Sequence, residues 1–188
     1  MEYFILFGLP LIIIIMVISS YNGIIKTYNI VKRSWADVNT YERQKVNILD
    51  SLEPLVSQYT SHESSTMKDI TALRQNILNL DKNELDTDAL SKVQQGTDQL
   101  IKGLSVTVES YPDLKANTIF LNLMTQIKSQ NENVGAAISI YNRNVEMFNS
   151  KIESIPTNIV NGLLTKKTRV QEFKDSSAEK NIEYQPNF

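Results

Sequence analysis

The chain has 188 residues, a formal net charge of −2 from 19 Lys and Arg against 21 Asp and Glu, one histidine and no cysteine. Those numbers exclude a disulfide-stapled scaffold, a thiolate or polyhistidine metal centre, and the basic field that nucleic acid demands. With 41% hydrophobic residues there is material for one packed core.

The first element is apolar. Residues 3–23, YFILFGLPLIIIIMVISSYNG, carry no charge, and a run of polar side chains begins only at Ser19. A helix from Tyr3 to Ile25 is roughly 34 Å long, enough for a hydrocarbon core of about 30 Å. Its strictly apolar part, to Ile18, is roughly 24 Å. Ser19 to Gly23 therefore belong to an interface, with Tyr21 in one aromatic belt and Tyr3 in the other. A cleaved secretory signal and a buried core helix are the alternatives. Only Glu2 precedes the run where a signal carries positive charge, and VISSYNG is a poor cleavage site. Residues 1–25 thus read as an uncleaved transmembrane anchor that tolerates Pro10. Lys26, Lys32 and Arg33 follow it while no Lys or Arg precedes it, so the expected orientation is C-terminal domain cytoplasmic and N-terminus outside. The same three side chains, like the later cluster Lys166, Lys167 and Arg169, are candidates for lipid-headgroup contact.

Past the anchor the period is helical. Tyr28, Val31, Trp35, Val38, Leu49, Leu52, Val56 and Tyr59 follow a 3,4 spacing interrupted by Glu42 and Lys45, and Pro54 should bend this helix or end it. A second stripe starts near Ser64 with Met67, Ile70, Leu73, Ile77 and Leu80. The polar stretch LDKNELDTDAL, with Asp86 or Thr87 as cap, leads to a third stripe through Leu90, Val93, Leu100, Ile101, Leu104, Val108 and Tyr111. YPDLK places Pro112 and Asp113 in the first turn of a fourth helix. There Phe120, Ile127, Val134, Tyr141, Phe148 and Ile155 recur every seventh residue, widened by Met124, Ile138, Val145 and Ile152. That repeat implies a helix of roughly 40 residues in a bundle. SIPTN starts a short last helix whose apolar residues are Ile159, Val160, Leu163 and Leu164. From Lys174 the chain is polar and reads as a flexible tail, with docking of Tyr184 and Phe188 as the alternative. The expected fold class is all-α: one N-terminal transmembrane helix, then an antiparallel, four-helix-bundle-like domain over 26–173, then a tail over 174–188.

Catalytic, cofactor and metal sites find no support. His62 has no second histidine in HESST, and the loop from Asp81 lacks the glycine and terminal glutamate of a calcium loop. His62 reads as a polar helix or cap residue. The sharper expectation is a structural polar network: Tyr141, Asn142 and Asn149 bonding to Tyr28 and Asn29 beside Trp35, fixing the register of an apolar seam.

Several motifs carry a resemblance: YN at Tyr28 and Asn29, SWADV, QYTSHE, YPDLKAN, Phe120, YNRNVEMFN and IPTNI, in that order behind one apolar helix. Together they resemble the LemA family of bacterial membrane proteins. Departures lie at Asp50 and Ser51, where the family has Pro-Asn, and at Ile138, where it often has arginine. The resemblance implies a membrane-anchored helical bundle in the bacterial cytoplasmic membrane and supplies no reaction or cofactor. The expected function is a non-enzymatic membrane scaffold with protein partners or copies of itself at the bilayer. The alternative is a lipid-binding surface sensor or envelope-stress or remodelling factor.

Overall fold

A computed structural model describes residues 2–59, 65–80 and 84–174, with side chains from residue 7 onward. His62, Glu63, Asp81, Tyr184 and Phe188 lie outside the described residues. The elements are α1 (Glu2–Ser57), α2 (Ser65–Leu78), α3 (Thr87–Ser110), α4 (Pro112–Ala116), α5 (Thr118–Glu153) and α6 (Thr157–Val160). A π-turn (Asn161–Thr165) follows α6. Among the described residues there is no strand. The fold is all-α, with one long apolar N-terminal helix and a bundle of helices.

Helix α1 has 56 residues and is about 84 Å long. Its first part is long and apolar enough to cross a membrane, and Phe7 to Ser19 stand largely bare of protein. Cover begins at Ser20 and Ile24, which are buried. Pro54 falls in the last turn, where the hydrogen bond it forfeits is close to the helix end.

Side-chain pairs set the directions. Trp35 meets Tyr141 and Tyr28 meets Phe148, each with ring centroids 5.3 Å apart, so α5 runs antiparallel to α1. Such tilted pairs contribute about 0.5–1.5 kcal/mol beyond the area they bury. Arg74 of α2 pairs with Asp50 at 2.8 Å and with Glu53, while Arg43 donates to the Leu80 carbonyl at 3.1 Å. Hence α2 descends along α1. The Thr66 and Thr107 hydroxyls, 2.8 Å apart, and Gln99 on Asp69 at 2.8 Å, bring α3 back up along α2. The far half of the domain is an up-down-up-down bundle.

Its core holds the stripes read from the sequence: Val38, Leu49, Leu52, Ile70, Leu73, Ile77, Leu90, Val93, Leu100, Phe120, Ile127 and Val134 are all buried. Glu42 and Lys45, which seemed to interrupt the first stripe, are buried too and pair at 2.8 Å. Lys45 Nζ donates to Thr97 Oγ1 at 2.9 Å and Asn131 Oδ1 at 3.4 Å, while Gln94 donates to Glu42. One ion pair therefore ties α1 to α3 and α5.

Two expectations change. The fourth helix does not start at Pro112: a five-residue helix ends at Asn117, whose extended backbone and side chain recap the chain. Asn117 Oδ1 accepts from Ile119 N at 2.9 Å and Phe120 N at 3.2 Å. The heptad row also stops one member short, because α5 ends at Glu153 and Ile155 is 81% exposed.

Candidate functional site

The half of the domain nearest the apolar run is built differently. There α1 and α5 pack as a pair, closed by α6, the π-turn and an extended segment, residues 166–173. The chain reverses at Lys166, a residue with φ 48 whose N–H donates to the Asn161 carbonyl at 2.7 Å. It then climbs back along α5.

Three asparagines hold it. The Asn161 side chain donates to Lys167 O and accepts from Lys167 N, both at 2.9 Å. Asn149 does the same with Val170 at 2.9 Å, and Asn142 with Phe173 at 2.8 Å. Each side-chain amide therefore acts as a peptide group would at the edge of a sheet. Asn142 and Asn149 are seven residues apart on a helix, about 10.5 Å of rise. Val170 and Phe173 are three residues apart in an extended chain, about 10 Å. That near match lets successive rungs bond without strain. Val170 and Phe173 turn their side chains onto the core, and Tyr141 OH donates to Gln171 O at 2.9 Å. Burial raises the Tyr141 phenol to about 12, with the Glu172 carboxylate pushing the same way.

The expected network residues fall into two groups. Tyr141, Asn142 and Asn149 converge on backbone of the 166–173 segment rather than on Tyr28 and Asn29. An asparagine facing an extended chain can satisfy both its donor and its acceptor on the free N–H and C=O of one residue, groups that the backbone of α1 uses within its own helix. Trp35 packs on the Tyr141 ring, and Tyr28 packs on Phe148 with the Lys167 ammonium 4.0 Å from its ring centroid. Asn29 is exposed and stands apart. Sequence reasoning missed Asn161, the left-handed Lys166 and the docked Phe173. Their one signal is that Asn161, Asn149 and Asn142 lie on chain segments flanking the turn.

Lys26, Lys32 and Arg33 are exposed. Lys32 Nζ lies 5.6 Å from the Tyr28 ring on which Lys167 also sits, so the early and late basic groups share one end of the domain. Arg169 pairs with Glu153 beside them. On one side α1 and α5 leave a groove of about 800 Å³ lined by Lys26, Ile30, Arg143 and Met147 among others. The site as a whole offers cations and apolar surface, its asparagine amides being engaged by the chain's own 166–173 segment.

The model of the LemA family matches residues 34–185, a span that takes in all three asparagine clamps. Protein LemA of Metamycoplasma hominis is 28% identical over 139 residues, which cover 74% of this chain and 62% of that relative's length.

Proposed function

The chain belongs to the LemA family, and on that premise we propose that it is a membrane-anchored, non-catalytic helical scaffold. Residues 3–25 span the bacterial cytoplasmic membrane once, the N-terminus lies outside, and the bundle stands in the cytoplasm as a platform for partner proteins or further copies. One observation carries this reading: α1 is a single helix from the apolar run into the bundle core, so the domain is joined to its anchor without a hinge. The groove between α1 and α5, where Ile30 and Met147 are exposed among charges, is the kind of surface an amphipathic partner helix covers. Tethering favours such contacts by raising local concentration. Crosslinking the full chain in native membranes should give adducts containing a second copy or a defined partner, and a ladder of bare monomers would remove the scaffold. Protease added outside intact cells should leave the bundle uncut, since the three charges after the run point inward.

A lipid-sensing role is the second reading, favoured by the shared position of Lys32 and Lys167 at the membrane end. Each cation near an anionic surface adds about 1 kcal/mol of attraction. Varying anionic lipid content around the reconstituted chain should change its crosslinking pattern under this reading and leave it unchanged under the first.

A further inference from the structure

The foot of the bundle presents apolar side chains where a surface facing water would carry polar ones. Ile155, Ile159, Leu163 and Leu164 are 81%, 58%, 72% and 56% exposed. All four sit on the turn between α5 and the extended segment, where only Thr157 and Val160 point into the protein. Single exposed apolar residues are ordinary, but four on one turn form a patch that needs a cover.

The packing gives the height of this turn. A Cβ placed on Gly23 would lie 3.0 Å from Lys151 Cε, so the last turn of α5 stands beside Gly23. The chain beyond Glu153 continues toward the N-terminal end of α1, and α6 and the π-turn pack against α1. Ser20 and Ile24 are buried, while Val17 is partly covered. The exposed turn therefore adjoins the interfacial end of the apolar run. Basic residues flank it: Lys26 and Lys166, which makes the reversal at φ 48, are exposed, as is Arg169 in its pair with Glu153.

We propose that residues 155–164 form a second membrane contact, an apolar tip embedded in the leaflet beside α1, with Lys26 and Lys166 meeting lipid phosphates. The occupant is a glycerophospholipid bilayer. The reading rests on residues 3–25 being a transmembrane anchor. Apolar residues at a helix-turn edge with basic residues behind them are what an interfacial element needs. Two attachment points fix the tilt and azimuth of the bundle, which a single helix leaves free.

The chain has no cysteine, so Leu163→Cys, Ile14→Cys and Val106→Cys each accept one environment-sensitive fluorophore. The full chain is reconstituted in vesicles of phosphatidylcholine and phosphatidylglycerol. Emission is challenged with aqueous iodide and with lipids spin-labelled near the headgroup or deep in the acyl chain. The expected result is a blue-shifted probe at Leu163→Cys quenched by the shallow label, one at Ile14→Cys quenched by the deep label, and one at Val106→Cys quenched by iodide. Iodide quenching at Leu163→Cys with Ile14→Cys still in lipid overturns the tip and leaves the anchor standing. Iodide quenching at both removes the anchor too. A probe at Leu163→Cys shielded from iodide and lipid alike means a protein covers the tip, which also overturns the proposal. In a Leu163→Asp/Leu164→Asp background, a probe at Ile159→Cys should move into water, and unchanged lipid quenching there rejects apolar seating of the turn.

Discussion

Asn149 shows how one polar side chain can dominate a site. It is 4% exposed and forms two bonds to one residue, so truncation strands both the N–H and the carbonyl of Val170. Asn149→Ala should destabilise the domain by about 1–3 kcal/mol, read by denaturant titration in detergent. Asn142→Ala should follow it, and a loss under about 0.5 kcal/mol would mark that side chain as solvated. The Glu42–Lys45 pair makes a different prediction. Burial is the largest influence on the Glu42 carboxyl and raises it above its ordinary 4.5, against the opposing Lys45 charge and the bonds from Lys45 and Gln94. A carboxyl raised on folding contributes stability that is full below 4.5 and is lost as pH rises through the folded value. Lys45→Met leaves the carboxylate without its counter-ion and should cost about 3–5 kcal/mol at neutral pH. Acidification should recover much of that, because the carboxyl can take a proton. Glu42→Gln/Lys45→Met should lie near wild type, as buried pairs contribute little over neutral replacements. Chemical melts of the two variants from about pH 4.5 to neutrality check both statements; a single variant insensitive to acid would place Glu42 in water. From sequence these two residues looked like gaps in a stripe, because a periodicity argument sees that a residue is polar and not that its partners arrive from α3 and α5.

At the scale of elements, the sequence was most informative where side chains carry the packing. The stripe of α2, that of α3 through Leu90, Val93, Leu100 and Leu104, and the heptad row of α5 from Phe120 to Phe148 are the buried faces, while Ile101 and Val108 are half-buried and Tyr111 is exposed. The break at Asn117 was missed because a proline at 112 already supplied a helix start, and a second cap five residues later has no periodic signature. Asn117→Ala should cost about 1 kcal/mol, measured as a lowered melting midpoint, since it leaves Ile119 N and Phe120 N without their acceptor. The 166–173 segment was harder still. It docks mainly through its backbone, which every sequence shares, so only Val170 and Phe173 could have betrayed it. The apolar residues of the short last helix divide: Val160 is buried, while Ile159, Leu163 and Leu164 stand exposed. The matched rise of helix and extended chain makes a register prediction. Inserting one residue between Val170 and Phe173 should disengage Asn142 and leave Asn149 bonded. Amide exchange should then quicken at Phe173 and stay slow at Val170.

For the whole molecule, stability and orientation meet in α1, which is at once the apolar run and a wall of the core. Ile24 is fully buried one turn beyond the exposed Tyr21, so no joint separates the two roles. A helix advances about 100° per residue. One alanine inserted between Ser19 and Ser20 should therefore turn the bundle by that angle relative to the exposed apolar residues of the run. If copies associate as proposed, cysteine crosslinking between them should lose its contacts with one added residue and recover them in part with three or four. A crosslinking pattern indifferent to insertion length would mean a slack connection. The unbroken helix thus works as a drive shaft: under the proposed anchoring, whichever meridian of the apolar run meets another helix dictates, dozens of ångströms away, which longitude of the helical rod its neighbours can see.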